Sequence, residues 1–209
     1  MAAPGGVTPG LACHAPPVLQ WPRIATGATM STETVAAGMG AGQYAKPLED
    51  ACIRFGIVAT LQKAHFLAQV AHESDGFRTA VEYASGAAYE GRRDLGNTEP
   101  GDGRRFKGRG LIQLTGRHNY TEYSRAMYGD DRCVRSPAIV ATLPDAALAA
   151  GWFWQTRGLN PLADADDLER VTRGINGGLN GLESRAGYLR LAKRLFTEMT
   201  AGGGDAHGS

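Results

Sequence analysis

Residues Ala64 to Glu82 read AHFLAQVAHESDGFRTAVE, and the reading of this stretch decides what the rest of the chain must supply. Leu61, Ala64, Phe66, Leu67, Ala68, Val70 and Ala71 are apolar at helical spacing, which predicts a helix running up to Glu73. Ser74, Asp75 and Gly76 follow; all three are poor helix formers, and a glycine just past a helix is a common stop. Glu73 is therefore expected at a helix C-terminus, where the negative end of the helix dipole disfavours a second negative charge. With apolar neighbours, that position predicts a protonated carboxyl. Glu82 lies nine residues further on. On one continuous helix that spacing would turn the two side chains roughly 180° apart. A turn at Asp75–Gly76 instead lets the chain reverse, so that Glu82 faces Glu73. Two carboxyl groups in different environments, one protonated and one ionised, are the minimum equipment for acid/base hydrolysis of a glycosidic bond. The plainer reading of either residue is a solvated surface glutamate.

The 209 residues are 43% hydrophobic and 21% charged, with a formal net charge of +1. That composition fits one soluble domain with a large core. Near-neutral charge gives no general attraction to nucleic acid, and no apolar run approaches the ~20 residues that span a bilayer. Cys13, Cys52 and Cys133 are few, odd in number and scattered, so neither a disulfide framework nor a zinc site is expected, and a reducing compartment is. No cofactor is called for.

Residues 1–30 are rich in Pro, Gly and Ala, without periodicity. They lack the basic start and apolar centre of a signal peptide, and are read as a disordered extension. Met30-Ser31-Thr32-Glu33 resembles a start followed by a helix cap. Pro47, Leu48, Ala51, Cys52 and Phe55 mark one helix face, ended by Gly56. The segment from Glu82 to Gly110 is long, glycine-rich and without pattern, which in a compact domain marks a functional or mobile loop. Leu111–Leu114 is a candidate strand that pairs with Arg104–Lys107 as a small hairpin. Helices follow with Thr115 as a cap, with Pro144 in a first turn, with Asp166 or Asp167 as a cap, and with Asn180 and Glu183 as a capping box. Residues 201–209 read as a flexible tail. The expectation is a mainly α domain over residues 31–200 with one small β-hairpin beside a groove.

His65, His72 and His118 lack HExxH spacing, so a metal is not expected; His72 is read as a neighbour of the site. Gly108-Arg109-Gly110 has neither nucleotide-loop spacing, and its glycines instead admit a bulky ligand. Gln113 and Thr115 alternate on the candidate strand and so share a face, where they can orient a water. Of Trp152, Phe153 and Trp154, two are expected in the core and one on the groove. Asn176 either closes a turn or aims its amide at a sugar N-acetyl group. Arg173 and Arg185 read as ligand contacts or as surface ion pairs.

Taken together, the blocks AHES-GF, the glutamate nine positions on, GDG-R-F-GRGLIQLTGR-NY, AAGWFW and INGG-NG-ESR resemble glycoside hydrolase family 19, and within it phage endolysins and bacterial chitinase-like lysozymes. The resemblance runs from about Ser31 to Phe196. It implies a lysozyme-like, bilobal helical fold and an inverting mechanism. Carried over by motif, Glu73 is the general acid, Glu82 the general base, and Thr115 the hydroxyl that helps hold the water. Gln113, Asn119, Tyr120 and Asn176 correspond to groove residues, with His72 and Arg185 beside them. His118 departs from the tyrosine of many plant chitinases. The segment from Ala84 to Gly101 is shorter than in many relatives. The implied partners are peptidoglycan strands or chitin oligomers, met by a monomer. The implied setting is synthesis in a host cytoplasm and action at the cell wall.

Overall fold

In the computed structural model, which describes residues 31–201, the Ala64–Glu73 periodicity is realised as the central helix. Ser31 caps α1 (Thr32–Gly38), its side chain accepting from the Thr34 amide. Next come α2 (Ala45–Arg54) and α3 (Thr60–Glu73). Ala64 through Ala71 are all buried, so α3 is enclosed on nearly every side rather than amphipathic. Its start is held by Gln62, whose Oε1 accepts from the Val58 and Ala59 amides.

A short turn, α4 (Asp102–Arg105), precedes α5 (Arg117–Tyr128) and α6 (Arg132–Arg135). The second half adds α7 (Asp145–Thr156), α8 (Asn160–Asp164), α9 (Leu168–Asn176) and α10 (Leu182–Ala201). Asp167 caps α9, accepting from the Arg170 amide. Asn180 makes no cap at α10; its carbonyl instead accepts from Asn176 and Arg185. The most extensive helix contact is α3 against α10. Trp154 stacks edge-on against Phe66 of α3, with centroids 5.6 Å apart, and Tyr123 meets Trp152 in the same way. Cys52 is buried, which pushes its thiol up to about 12.

The mainly α expectation is met, and the hairpin is not. Arg104–Lys107 does not pair with Leu111–Leu114: Arg104 and Arg105 belong to the α4 turn. Among the described residues there is no extended strand, only isolated antiparallel bridges from Arg109 to Val81 and to Leu114. Leu111, Ile112 and Leu114 are apolar because loops and α7 bury them; the Leu111 amide donates to the Ala146 carbonyl on α7.

The long segment after Glu82 is also more ordered than its composition predicts. Tyr89 and Leu95 lie in short 3-10 turns. Buried Asn97 bridges them to α5, donating to the Tyr89 carbonyl and accepting from the Arg117 amide. Arg117 pairs with Asp102, whose side chain is 2% exposed. Gly86 sits at φ 82°, and a Cβ there would lie 2.5 Å from the Gly103 carbonyl oxygen, so this contact requires glycine. The expected disordered extension, 1–30, and all of the expected tail except Ala201 lie outside the described residues.

Candidate active site

The helix carrying Glu73 stops as its sequence requires. Asp75, Gly76 and Phe77 all take positive φ (54°, 68° and 65°), a conformation that costs a side-chain residue of order 1 kcal/mol or more. Ser74 braces the reversal: its hydroxyl donates to the Val70 carbonyl and accepts from the Phe77 amide. The chain then returns along residues 80–82, with the Glu82 amide donating to the Gly108 carbonyl and the Gly110 amide to the Ala80 carbonyl.

Each carboxylate has its own set of partners. Glu73 accepts at Oε1 from Arg185 Nη2 at 2.5 Å. The arginine side chain is 2% exposed and the glutamate 19%. Arg185 also donates to Gln69 Oε1 and to the Asn180 carbonyl. The surroundings of Glu73 are thus ionic, and the apolar setting expected from its helical neighbours is replaced by a buried guanidinium. Glu82 accepts at Oε1 from the Tyr89 hydroxyl (2.9 Å) and at Oε2 from the Gly108 amide (2.9 Å). Burial, together with this bond to Glu82, pushes the Tyr89 hydroxyl pKa up. Gly108 permits the approach: a Cβ there would lie 2.8 Å from Gln113 Oε1 and 3.2 Å from Glu82 Oε2.

A groove of about 520 Å³ runs past Glu73 and past Tyr89, the hydroxyl partner of Glu82; Glu82 itself is not among its lining residues. Glu73, Tyr89, Gln113, Thr115, Asn119 and Asn176 line it, together with Phe153, Arg157 and Arg173. Gln113 and Thr115 share the groove without a strand: Gln113 is at φ 55°. The Thr115 hydroxyl donates to the Gln113 carbonyl, which leaves its oxygen free to accept. Asn119 donates to the Thr115 carbonyl. The Asn176 side chain is spent on its own turn, accepting from the Gly178 amide and donating to the Asn180 carbonyl.

Three expected contacts are placed elsewhere. Tyr120 is fully buried; its hydroxyl donates to the Lys107 carbonyl and accepts from Arg109, and burial pushes it up to about 12. Arg185 lies beneath Glu73 instead of on the groove. His72 bonds Ser184 through Nδ1 and packs on Gly181. Burial and the Arg185 charge lower its pKa, against the opposing pull of Glu73. Sequence reading missed Tyr89 and Arg157, and read Arg185 as a ligand contact or a surface ion pair, where it forms a buried one. The signal for Arg185 was present: it shares the spacing of Leu189, Ala192 and Phe196, the buried face of α10.

A helical frame that puts one carboxylate, Glu73, on a saccharide-sized groove and holds a second, Glu82, behind the groove-lining Tyr89 has the equipment of a glycoside hydrolase. The family model described as chitinase class I, of glycoside hydrolase family 19, matches residues 56–167. A glycosyl hydrolase family 19 domain-containing protein of Haemophilus influenzae is 32% identical over 166 residues, covering 65% of this chain and 80% of that protein. An endochitinase of Arabidopsis thaliana is 33% identical over 148 residues, covering 67% of this chain and 50% of the plant protein. The chain thus spans about half the length of that plant relative. Chitinase C from Streptomyces griseus HUT6037 shares the fold, with a TM-score of 0.65 at 24% identity over 84% of this chain and 79% of that one. The chain belongs to glycoside hydrolase family 19.

Proposed function

We propose that this chain cleaves β-1,4 glycosidic bonds of peptidoglycan, as an endolysin does, with inversion at the anomeric carbon. The observation that carries the reading is a pair of carboxylates with contrasting partners: Glu73, on the groove and held by Arg185, and Glu82, held by the groove-lining Tyr89 and by the Gly108 amide. Glu82 accepts hydrogen bonds at both oxygens, the arrangement of an ionised carboxylate, and it takes the proton of the attacking water. Thr115, its own proton already given to the Gln113 carbonyl, accepts from that water and orients it. Glu73 is fixed through Oε1, and Oε2 has no protein partner among the described residues. From Oε2 the leaving oxygen receives its proton. Water attacks C1 from the face opposite the departing sugar. An inverting pair of this kind works with its carboxyl groups roughly 6.5–9.5 Å apart.

The resemblance to phage endolysins supports the bacterial wall as the place of action. A second reading, hydrolysis of chitin, is favoured by the names of the plant relatives, because both polymers contain β-1,4-linked N-acetylglucosamine. The test is loss of turbidity of outer-membrane-permeabilised bacteria, run beside soluble chitin oligomers, for the parent and Glu73→Gln. Clearing that the substitution reduces by about 100-fold or more is expected. Chitin cleavage without clearing moves the assignment to a chitinase, and near-normal clearing by Glu73→Gln removes Glu73 from its role.

A further inference from the structure

Two guanidinium groups on the groove have no carboxylate to answer them. Arg157, at the end of α7, and Arg173, in the last turn of α9, both line the groove and are both exposed. Among the described residues neither guanidinium makes a hydrogen bond or an ion pair; that of Arg157 only lies over the Phe153 ring, 4.9 Å from its centroid. Other arginines behave otherwise: Arg78, Arg92, Arg117, Arg132 and Arg135 are each paired with an aspartate. The one carboxylate that lines the groove, Glu73, is already held by Arg185. The groove therefore carries surplus positive charge in a chain whose net charge is only +1. Arg157 also stands at a junction. With Leu95 and Asn119 it borders a second depression of about 440 Å³ that also reaches His118, Trp152 and two carboxylates, Asp94 and Glu122, which are paired with Arg92 and Arg125 instead.

A neutral polymer of N-acetylglucosamine offers hydroxyls and amides, and covering two cations with it costs hydration without an ionic return. A polymer bearing carboxylates returns that cost, because a guanidinium fork matches a carboxylate with two charge-assisted hydrogen bonds. We propose that Arg157 and Arg173 form a carboxylate-reading pair that selects glycan strands carrying acidic substituents. In peptidoglycan the acid is a carboxylate of the peptide stem or, on strands whose stems have been removed, the lactyl carboxylate of the muramyl sugar that cleavage of the stem amide frees. This inference rests on the peptidoglycan reading for its natural substrate, and its chemistry is tested apart from it.

The test compares kcat/KM on glycol chitin, which is neutral, with that on carboxymethyl chitin, which has the same backbone and carries carboxylates. Bacterial sacculi are assayed alongside, intact and after amidase removal of the stems. The parent, Arg157→Ala, Arg173→Ala and Arg173→Lys are measured. The ratio of anionic to neutral turnover is expected to fall about tenfold in each alanine variant, the low end for a hydrogen bond to a charged group in the open. Arg173→Lys should recover part of it, and raising salt should erode the parent's ratio toward that of the variants. A fall on stripped sacculi assigns the lactyl carboxylate, and a fall on intact sacculi alone assigns the stem. An unchanged ratio in both alanine variants overturns the proposal, and a fall in only one overturns the pair. If the parent discriminates between the two chitins but leaves sacculi intact, the peptidoglycan reading fails while the carboxylate-reading pair stands.

Discussion

Replacing Arg185 by methionine tests the site at its foundation. The substitution keeps most of the side-chain volume, so the packing cost is small. What it removes is charge and donors: the bonds to Glu73 Oε1 and Gln69 Oε1, both 2.5 Å, and to the Asn180 carbonyl, 3.1 Å. Gln69 is fully buried, and its amide nitrogen already faces Thr172. Its orphaned oxygen should cost about 1–3 kcal/mol. Breaking a fully buried ion pair costs about 3–5 kcal/mol. Glu73 is 19% exposed, and water reaching it should reduce that share to about 1–2 kcal/mol. A net loss near ~3 kcal/mol should lower the melting temperature by about 6–12 °C in a chain of this size. Hydrolysis should fall by about 100-fold, because Glu73 loses the group that fixes its direction. Urea denaturation followed by tryptophan fluorescence, beside hydrolysis of glycol chitin, measures both. Combining Arg185→Met with Glu73→Gln should give less than the sum of the single losses, by about 1–2 kcal/mol. A methionine variant within 1 kcal/mol of the parent (about the worth of a single net hydrogen bond) that also keeps its activity would refute the reasoning.

Two further outcomes follow from the same geometry. Burial lowers the pKa of His65, against the bond to Asp166, and likewise lowers that of His72. A base depressed on folding contributes stability that is complete above its unfolded value of 6.5 and is lost as pH falls below it, because the unfolded chain binds the proton first. The urea midpoint should therefore drop between about pH 7.5 and about pH 5.5, less steeply in His65→Gln; a flat parent curve, or two parallel ones, counts against this. Gly181 and Gly177 both sit near φ 72–74°, but only at Gly181 would a Cβ meet something, the His72 ring at 2.2 Å. Gly177→Ala should cost about 1 kcal/mol from backbone strain alone. Gly181→Ala should cost at least about 2 kcal/mol and lower activity as well, since the ring it displaces is bonded next to Glu73. Equal losses in the two urea curves would contradict the clash.

What could be read from the sequence was local. The apolar period from Leu61 to Ala71 and the stop at Gly76 depend on neighbours in the chain, and α3 ends at Glu73 as expected. Trp154 went to the core and Phe153 to the groove because three consecutive aromatics cannot share one helix face. The failures were long-range or mistook burial for pairing. The partner of Glu73 is Arg185, 112 residues away, and no local pattern names it. Leu111, Ile112 and Leu114 read as a strand because they are apolar, but loops and α7 cover them without a ladder. Tyr120 stands beside motif residues in sequence, yet its position on α5 turns it into the core. Phe106 packs against its ring there, with centroids 5.3 Å apart.

The pairing of α3 with α10 also sets an order in time. A ribosome makes the acidic residue long before the guanidinium that fixes it, since 112 positions separate them. Until the last described helix emerges and docks, Gln69 and Glu73 lack their donor, and the half-made enzyme has no rigid acid. Competence for hydrolysis thus waits for α10, and a chain terminated before Leu182 is expected to be inert even if its first helices have folded.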